Sequence, residues 1–235
     1  SAATGCRIRS GAAVIEKSVR VNVEADSLNS AVLGPDVKRA SETWDLFIRE
    51  VCTDMTQKAG QKCTAMRRIF VPVDKMDAVR EDLIEAITNV KVGNPSSRGV
   101  RMGPLASQAQ LADITAGIEE LQTVAEIVCG ALGPGELVDA EASAGYFQQP
   151  VLLQVKDSAA AAIVHTREVF GPVQTILPYS GAAAHAAALL NLGDGGLVAS
   201  VYSDHRDFAA ELALAVAPYN GRLNFGSKKV AEFSM

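Results

Sequence analysis

Apolar residues recur at helical and strand spacings along most of the chain. Between residues 41 and 58 they fall at three- and four-residue steps, which predicts an amphipathic helix with Ser41 as its N-cap and Gly60 as the left-handed residue that ends it. The same spacing predicts helices at 75–89, 107–123, 182–190 and 207–215, and one near the N-terminus that runs to about residue 18. Apolar runs and alternating patterns predict strands at 19–24, 68–72, 125–129, 151–155, 173–178 and 197–202. This alternation of helices and strands indicates an α/β fold with a mostly parallel sheet.

The composition is that of a folded protein, and it excludes several classes of partner. The chain has 235 residues, 48% of them hydrophobic, and 22 Lys and Arg against 27 Asp and Glu, which gives a formal net charge of −5. High apolar content with an ordinary charged fraction excludes disorder as the main state. The acidic balance argues against a nucleic acid or a membrane as partner, and no apolar run approaches the ~20 residues of a spanning helix. Because the first residues also lack the apolar run of a signal peptide, we expect a cytoplasmic protein.

The cysteines and histidines lack the spacing of a metal site. Cys6, Cys52, Cys63 and Cys129 form no C-x-x-C pair, and the three histidines are isolated from them and from one another. We therefore expect no bound metal, and free thiols of the kind that persist in a reducing compartment.

One of these cysteines, Cys63, has the sequence setting of a nucleophile. It follows the predicted helix end and precedes a basic pair, Arg67 and Arg68. A thiol beside cationic side chains, on a loop between two elements, favours the thiolate, which is the nucleophilic form. The competing interpretation is an ordinary buried cysteine, which is what we expect for the other three.

Four segments together resemble the aldehyde dehydrogenase superfamily. The string GQKCTAMRRIFVP around Cys63 is similar to the family's active-site segment, and VNVEADSLNSAVLGPDV is similar to its strand that carries an acid, here Glu24, before a small polar loop and an Asn. Downstream, the segment EVFGP at 168–172 resembles the family's E-x-F-G-P box, and SAATG at 1–5 resembles the end of its cofactor-binding turn, G-S-x-x-G. The segments occur in the family's order, and the resemblance covers essentially the whole chain. It implies the aldehyde dehydrogenase catalytic domain, a Rossmann-like sheet flanked by helices.

The resemblance implies that Cys63 and Glu24 carry the catalysis. Cys63 attacks an aldehyde carbon to give a thiohemiacetal, which loses hydride to a nicotinamide cofactor and becomes a thioester; the Cys63 N–H is one candidate donor to the oxyanion. Glu24 acts as the general base that activates water for thioester hydrolysis. Without the resemblance, a solvated acid at a strand end is the favoured interpretation of Glu24, and the motif reverses that preference.

The resemblance also implies a cofactor site. Glu168 holds the nicotinamide ribose hydroxyls, and Phe170 packs near the ring. Ser1 and Gly5, at the start of a helix, face the pyrophosphate, because free N–H groups and the helix dipole favour anions there. The competing interpretation is that residues 170–172 are only a turn that enters the next strand.

A narrower resemblance concerns the substrate. Residues 24–30, which read E-A-D-S-L-N-S where the generic family has E-L-G-G-K, together with 49–51 and 58–65, are similar to the semialdehyde dehydrogenases of aerobic phenylacetate and benzoate breakdown. Those enzymes oxidise ring-opened CoA-thioester semialdehydes. The resemblance implies a CoA-linked semialdehyde as the small-molecule substrate, NADP in preference to NAD, and a homo-oligomeric parent enzyme.

The matched segments also predict how the chain is divided. Residues 1–27 are assigned to the edge of a dinucleotide-binding domain, 28–221 to the cysteine-bearing catalytic domain, and 222–235 to the return towards the cofactor domain. The first half of the family pattern is not found in these residues. We therefore expect a fragment that keeps an alkylatable Cys63 and alone oxidises no aldehyde.

Two rival functions follow from the same residues. In a thiol hydrolase or acyltransferase, Cys63 would pair with a histidine, for which His165 is the candidate near a motif, and no nicotinamide would be needed. In a non-catalytic scaffold, the fold would be preserved and the Cys63 thiol would react slowly.

Overall fold

The computed structural model describes residues 2–25 and 27–232 of the protein. The strands are β1 (Ser30–Leu33), β2 (Arg68–Pro72), β3 (Val92–Gly93), β4 (Glu126–Cys129), β5 (Leu137–Val138), β6 (Val151–Gln154), β7 (Val173–Tyr179), β8 (Gly196–Tyr202) and β9 (Asn220–Gly226). The helices are α1 (Ala2–Arg9), α2 (Ala12–Glu16), α3 (Glu42–Thr56), α4 (Met76–Thr88), α5 (Gln108–Leu121), α6 (Ala183–Asn191), α7 (Arg206–Val216) and α8 (Lys228–Ala231). Among these residues no helix is both long and apolar enough to span a bilayer.

A seven-stranded sheet forms the centre of the fold. Its strand order is β4-β6-β7-β2-β1-β8-β9, and every neighbouring pair is parallel except β4 and β6. The two short strands β3 and β5 pair separately. The α/β class and the mostly parallel sheet predicted from the sequence are confirmed.

Helices cover both faces of the sheet. Successive strand residues point to opposite sides, so the apolar side chains of one strand contribute to a core on each face. On β1, Ala31 and Leu33 belong to the apolar cluster under α3 and α4, whereas Val32 belongs to the cluster under α5, α6 and α7. On β2, Ile69 and Phe70 divide in the same way. Strands buried on both faces explain why β1 and β2 read as apolar runs instead of alternating patterns.

Most predicted elements lie within two residues of their observed ends. The clearest local agreement is at α3, where Ser41 is the N-cap and its side-chain oxygen accepts the Trp44 N–H at 3.3 Å. Strand β9 was not predicted, and it pairs with β8 as far as Gly226. The division predicted between residues 221 and 222 therefore falls within a strand of the main sheet.

The prediction of a strand at 19–24 was wrong. In the part of the chain that the structure describes, these residues pair with no other strand, and a strand exists only where a neighbour completes its hydrogen bonds. The N-terminal helix is also divided in two, at Ser10 and Gly11, since Gly11 adopts an extended conformation before α2. Ile8 and Ile15 on these helices are exposed.

Candidate active site

The structure brings four of the six predicted site residues around one cavity. Cys63, Glu24, Glu168 and Phe170 all line a space of about 560 Å³. The rest of its wall comes from Ala25, Ser27, Gln110, Asp113, Thr166, Arg167 and Leu197. Residues distant in sequence therefore converge where the resemblance placed nucleophile, base and cofactor contacts.

The other two predicted residues are not in this group. Ser1 lies outside the described residues. Gly5 lies within α1 and does not line the cavity; a Cβ on Gly5 would fall 2.3 Å from Val23 Cγ1.

Cys63 lies in a tight turn between α3 and β2. After α3 the backbone passes through three successive left-handed residues, Lys58, Ala59 and Gly60. The turn is closed by the Ala65 N–H, which donates to the Lys62 carbonyl at 3.0 Å. Cys63 is exposed at its tip. We call residues 60–65 the nucleophile turn.

Gly60 is required in this turn for two reasons. Its φ of +68° lies in the region that favours glycine. A Cβ at this position would also fall 2.1 Å from the Gly171 carbonyl oxygen. The nucleophile turn therefore lies so close to the E-x-F-G-P segment that no side chain fits between them at residue 60.

A buried arginine joins the same two segments. Arg67 donates to the carbonyls of Gly171 and Gly60, at 2.8 Å each, and its Nε lies 3.6 Å from Glu168 Oε1. Its guanidinium also lies over the Phe170 ring, 5.4 Å from the centroid. Burial lowers the pKa of Arg67, and the Glu168 carboxylate opposes that shift. Arg67 thus holds both predicted cofactor-contact residues against the nucleophile turn.

The basic pair was expected beside the thiol, and the structure corrects this. Arg67 and Arg68 are almost fully buried, and their guanidinium groups donate to main-chain carbonyls inside the protein. The reason is that main-chain carbonyls of neighbouring segments lie in the interior beside each guanidinium, those of Gly60 and Gly171 beside Arg67 and that of Leu28 beside Arg68. The cation near the tip of the turn is Lys62, which is ion-paired with Asp54.

Glu24 is exposed in the segment that precedes β1. Asn22 Nδ2 donates to its Oε1 at 2.9 Å. Besides the cavity of Cys63, Glu24 lines a neighbouring one of about 550 Å³. A solvent-accessible carboxylate between two cavities can reach water, which a general base needs.

His165, the candidate for a Cys–His dyad, is occupied elsewhere. Its Nδ1 lies 3.0 Å from Arg68 Nη1, and its Nε2 lies 2.7 Å from the Ser158 carbonyl oxygen. Since an arginine only donates and a carbonyl only accepts, the ring is the neutral tautomer with the proton on Nε2. Burial also lowers the pKa of His165, which favours the neutral ring. The ring does not line the cavity of Cys63, so it is not placed to take a thiol proton.

Sequence reasoning missed Asn29 as a residue of the site. Its side chain is buried and donates to the Cys63 carbonyl at 2.8 Å. The available signal was an Asn–Ser pair at the head of an otherwise apolar run. Among the described residues, no group of three or more His, Cys, Asp or Glu could hold a metal ion.

The sequence profile of the aldehyde dehydrogenase family matches residues 1–231. With the α/β fold and the cysteine cavity, this defines the class: the chain belongs to the aldehyde dehydrogenase family. A 3,4-dehydroadipyl-CoA semialdehyde dehydrogenase from Aromatoleum evansii is 44% identical to it over 223 residues. That alignment covers 95% of this chain and 43% of the relative, so the chain spans less than half of the relative's length.

Solved structures agree with the fold. A betaine aldehyde dehydrogenase from Staphylococcus aureus in complex with NAD+ matches with a TM-score of 0.82 at 25% identity, over 94% of this chain and 41% of that one. A Mycobacterium tuberculosis aldehyde dehydrogenase complexed with NAD+ matches with a TM-score of 0.79 at 25% identity, over 97% of this chain and 44% of that one.

Proposed function

We propose that this chain supplies the nucleophile and the general base of an aldehyde dehydrogenase that oxidises an aldehyde to a carboxylic acid with a nicotinamide cofactor. The observation that carries the proposal is the cavity that Cys63, Glu24, Glu168 and Phe170 line together in a chain of this family.

In this mechanism Cys63 is the nucleophile. Its thiolate attacks the aldehyde carbon, and a new S–C bond gives a thiohemiacetal oxyanion, to which the Cys63 N–H can donate. Loss of hydride from that carbon leaves a thioester on Cys63. Glu24 then takes a proton from water, which attacks the thioester, and the carboxylic acid leaves as the S–C bond breaks.

A nicotinamide cofactor fits Glu168 and Phe170 in the cavity wall, and when bound it would accept the hydride. Glu168 offers a carboxylate that can accept from ribose hydroxyls, and Phe170 offers an aromatic face. Arg67 holds both in place. The NAD+ bound by the two similar solved structures supports a nicotinamide cofactor here, and the narrower sequence resemblance supports NADP in preference to NAD.

The substrate we propose is a CoA-linked semialdehyde from aromatic-ring breakdown. The relative from A. evansii, named for a CoA semialdehyde, supports this class. A cytoplasmic location, assembly as a homo-oligomer, and the division of the chain into a cofactor-domain edge and a catalytic domain belong to the same proposal.

The experiment uses a chimera in which this chain replaces the matching segment of the A. evansii dehydrogenase. We expect the chimera to reduce a nicotinamide cofactor in the presence of a CoA-linked semialdehyde. Cys63→Ser should abolish the reaction, and Cys129→Ser, a change at a cysteine outside the cavity, should leave it within about twofold of the parent chimera. Activity that survives Cys63→Ser would refute the proposal.

Glu24→Gln separates the two chemical steps in the same chimera. Because Glu24 acts after hydride transfer, the first turnover of NADPH formation should persist while steady-state turnover falls by about 10²-fold or more. Equal loss of both phases would show that Glu24 is not the base for hydrolysis.

A further inference from the structure

Asn29 uses all of its side-chain hydrogen-bonding capacity, and both of its donors go to the nucleophile turn. Its Nδ2 donates to the carbonyls of Cys63 and Ala65, at 2.8 and 2.9 Å. Its Oδ1 accepts from Ser27 Oγ at 2.7 Å and from the Val198 N–H at 2.9 Å. Carbonyls only accept and the Val198 N–H only donates, so the orientation of the amide is determined. Asn29 is 1% exposed, so its amide is buried away from solvent.

These contacts fix two peptides of the segment around Cys63, the Cys63–Thr64 peptide and the Ala65–Met66 peptide. With the carbonyls of both tied to one buried amide, neither peptide can rotate without breaking a hydrogen bond. An unmade bond of that kind costs about 1–3 kcal/mol. The nucleophile is therefore held from the head of β1, and the same amide reaches β8 through Val198.

The peptide that precedes Cys63 is held from the other side. The Lys62 carbonyl accepts the Ala65 N–H at 3.0 Å, and Arg67 Nη2 lies 3.4 Å from the same oxygen. In a trans peptide the C=O and N–H point in opposite directions, so the Cys63 N–H points away from these donors. Within residues 2–25 and 27–232 no group accepts that N–H. It is thus available beside the thiol.

We propose that Asn29 is a positioning residue for Cys63: its buried amide sets the direction of the thiol and of the N–H that meets the oxyanion. The inference rests on the proposed function, because it takes Cys63 to be the nucleophile. The competing explanation is that Asn29 only joins β1 to β8 and stabilises the sheet.

The chain contains a matched control for that explanation. Gln174 is also 1% exposed, and its Nε2 donates to two main-chain carbonyls, of Val51 and Met66, at 3.0 and 3.1 Å. It therefore makes the same kind of buried contact next to the turn but does not touch Cys63. Asn29→Leu and Gln174→Leu each remove an amide that donates to two main-chain carbonyls, and they differ in whether they release the nucleophile.

The test compares two reactions of Cys63 in the 235-residue chain. With 4-nitrophenyl acetate, the Cys63 sulfur forms a bond to the acyl carbon, the ester C–O bond breaks, 4-nitrophenolate leaves with the electron pair, and the thiol proton goes to solvent. This reaction passes through an oxyanion. Alkylation by iodoacetamide displaces iodide and forms no oxyanion. Peptide mass spectrometry gives both rate constants at Cys63.

We expect Asn29→Leu to lower the acetylation rate constant by about tenfold or more while alkylation changes by less than about threefold. If the Leu variant does not fold, Asn29→Asp replaces it, because Asp keeps an acceptor for Ser27 and Val198 and removes both donors. This variant should lower the ratio of the acetylation rate constant to the alkylation rate constant. Gln174→Leu should leave the ratio within about twofold of the unmodified chain.

Two results would overturn the inference: an unchanged ratio in the folded Asn29 variants, or an equal fall in Gln174→Leu. Failure of the proposed function looks different. In that case the unmodified chain would acetylate Cys63 no faster than Cys6, its other exposed cysteine, before any variant is made.

Discussion

The contact between Arg67 and Glu168 makes a quantitative prediction. Their side chains are 4% and 9% exposed, and 3.6 Å separates Arg67 Nε from Glu168 Oε1. Arg67→Met removes that cation and two hydrogen bonds of 2.8 Å to carbonyls. Removal of one partner of a buried ion pair costs about 3–5 kcal/mol, because the remaining charge loses its compensation. We expect a loss of unfolding free energy in that range.

A double-mutant cycle isolates the charge interaction. Glu168→Gln alone should cost less than Arg67→Met, because Arg67 keeps its carbonyl acceptors. In the double variant Glu168 is no longer a carboxylate that lacks its cation. The loss of unfolding free energy in the double variant should therefore be about 1–3 kcal/mol smaller than the sum of the two single losses. Urea unfolding is followed by the fluorescence of Trp44, the one tryptophan, which is buried. Losses that add within about 0.5 kcal/mol would refute the claim that Arg67 holds Glu168 through charge.

Three further predictions concern single positions. Gly60→Ala should lower the free energy of unfolding in urea by more than about 1 kcal/mol, because residue 60 is left-handed and its new Cβ would collide with the Gly171 carbonyl. A loss below about 0.3 kcal/mol would contradict the observed turn. Burial lowers the pKa of His165, so below about pH 6.5 the unfolded chain binds a proton at this ring and the folded chain does not. The unfolding free energy should therefore fall as the pH drops below about 6.5, and it should fall less in His165→Gln. An equal pH dependence in both proteins would contradict the buried neutral ring. Tyr179→Phe should cost about 1 kcal/mol by the same assay, because the hydroxyl donates to the Leu33 carbonyl at 2.6 Å, and an unchanged stability would argue against that bond.

Local signals explain which parts of the fold were predictable. The apolar stripe of α4 and the Ser41 cap of α3 depend on residues within a few positions of one another, and both were predicted. Strand β2, at Arg68–Pro72, was predicted with its end at the proline. The strand predicted at 19–24 shows the limit: alternation at this segment is a real pattern, but strand formation depends on a neighbour that no local pattern supplies.

The candidate site divides in the same way. Cys63 and the E-x-F-G-P segment were identified from motif resemblance, and the structure brings them to one cavity. The destinations of the Arg67 and Arg68 side chains were not predictable, because each has a partner about a hundred residues away, the Gly171 carbonyl for Arg67 and His165 for Arg68. Asn29 was missed for the same reason, since its contact with Cys63 exists only after β1 and the nucleophile turn have packed together.

The central claim is that the fold makes Cys63 a nucleophile, and competition among cysteines tests it most directly. Cys6 and Cys63 are both exposed, so a difference between them reports their surroundings and not access. The folded chain is treated briefly with limiting 4-nitrophenyl acetate, and the acetyl group on each cysteine is counted by peptide mass spectrometry. The account predicts that Cys63 is acetylated at least about tenfold faster than Cys6, and that urea removes the difference. Equal acetylation of the two thiols in the folded chain would contradict it.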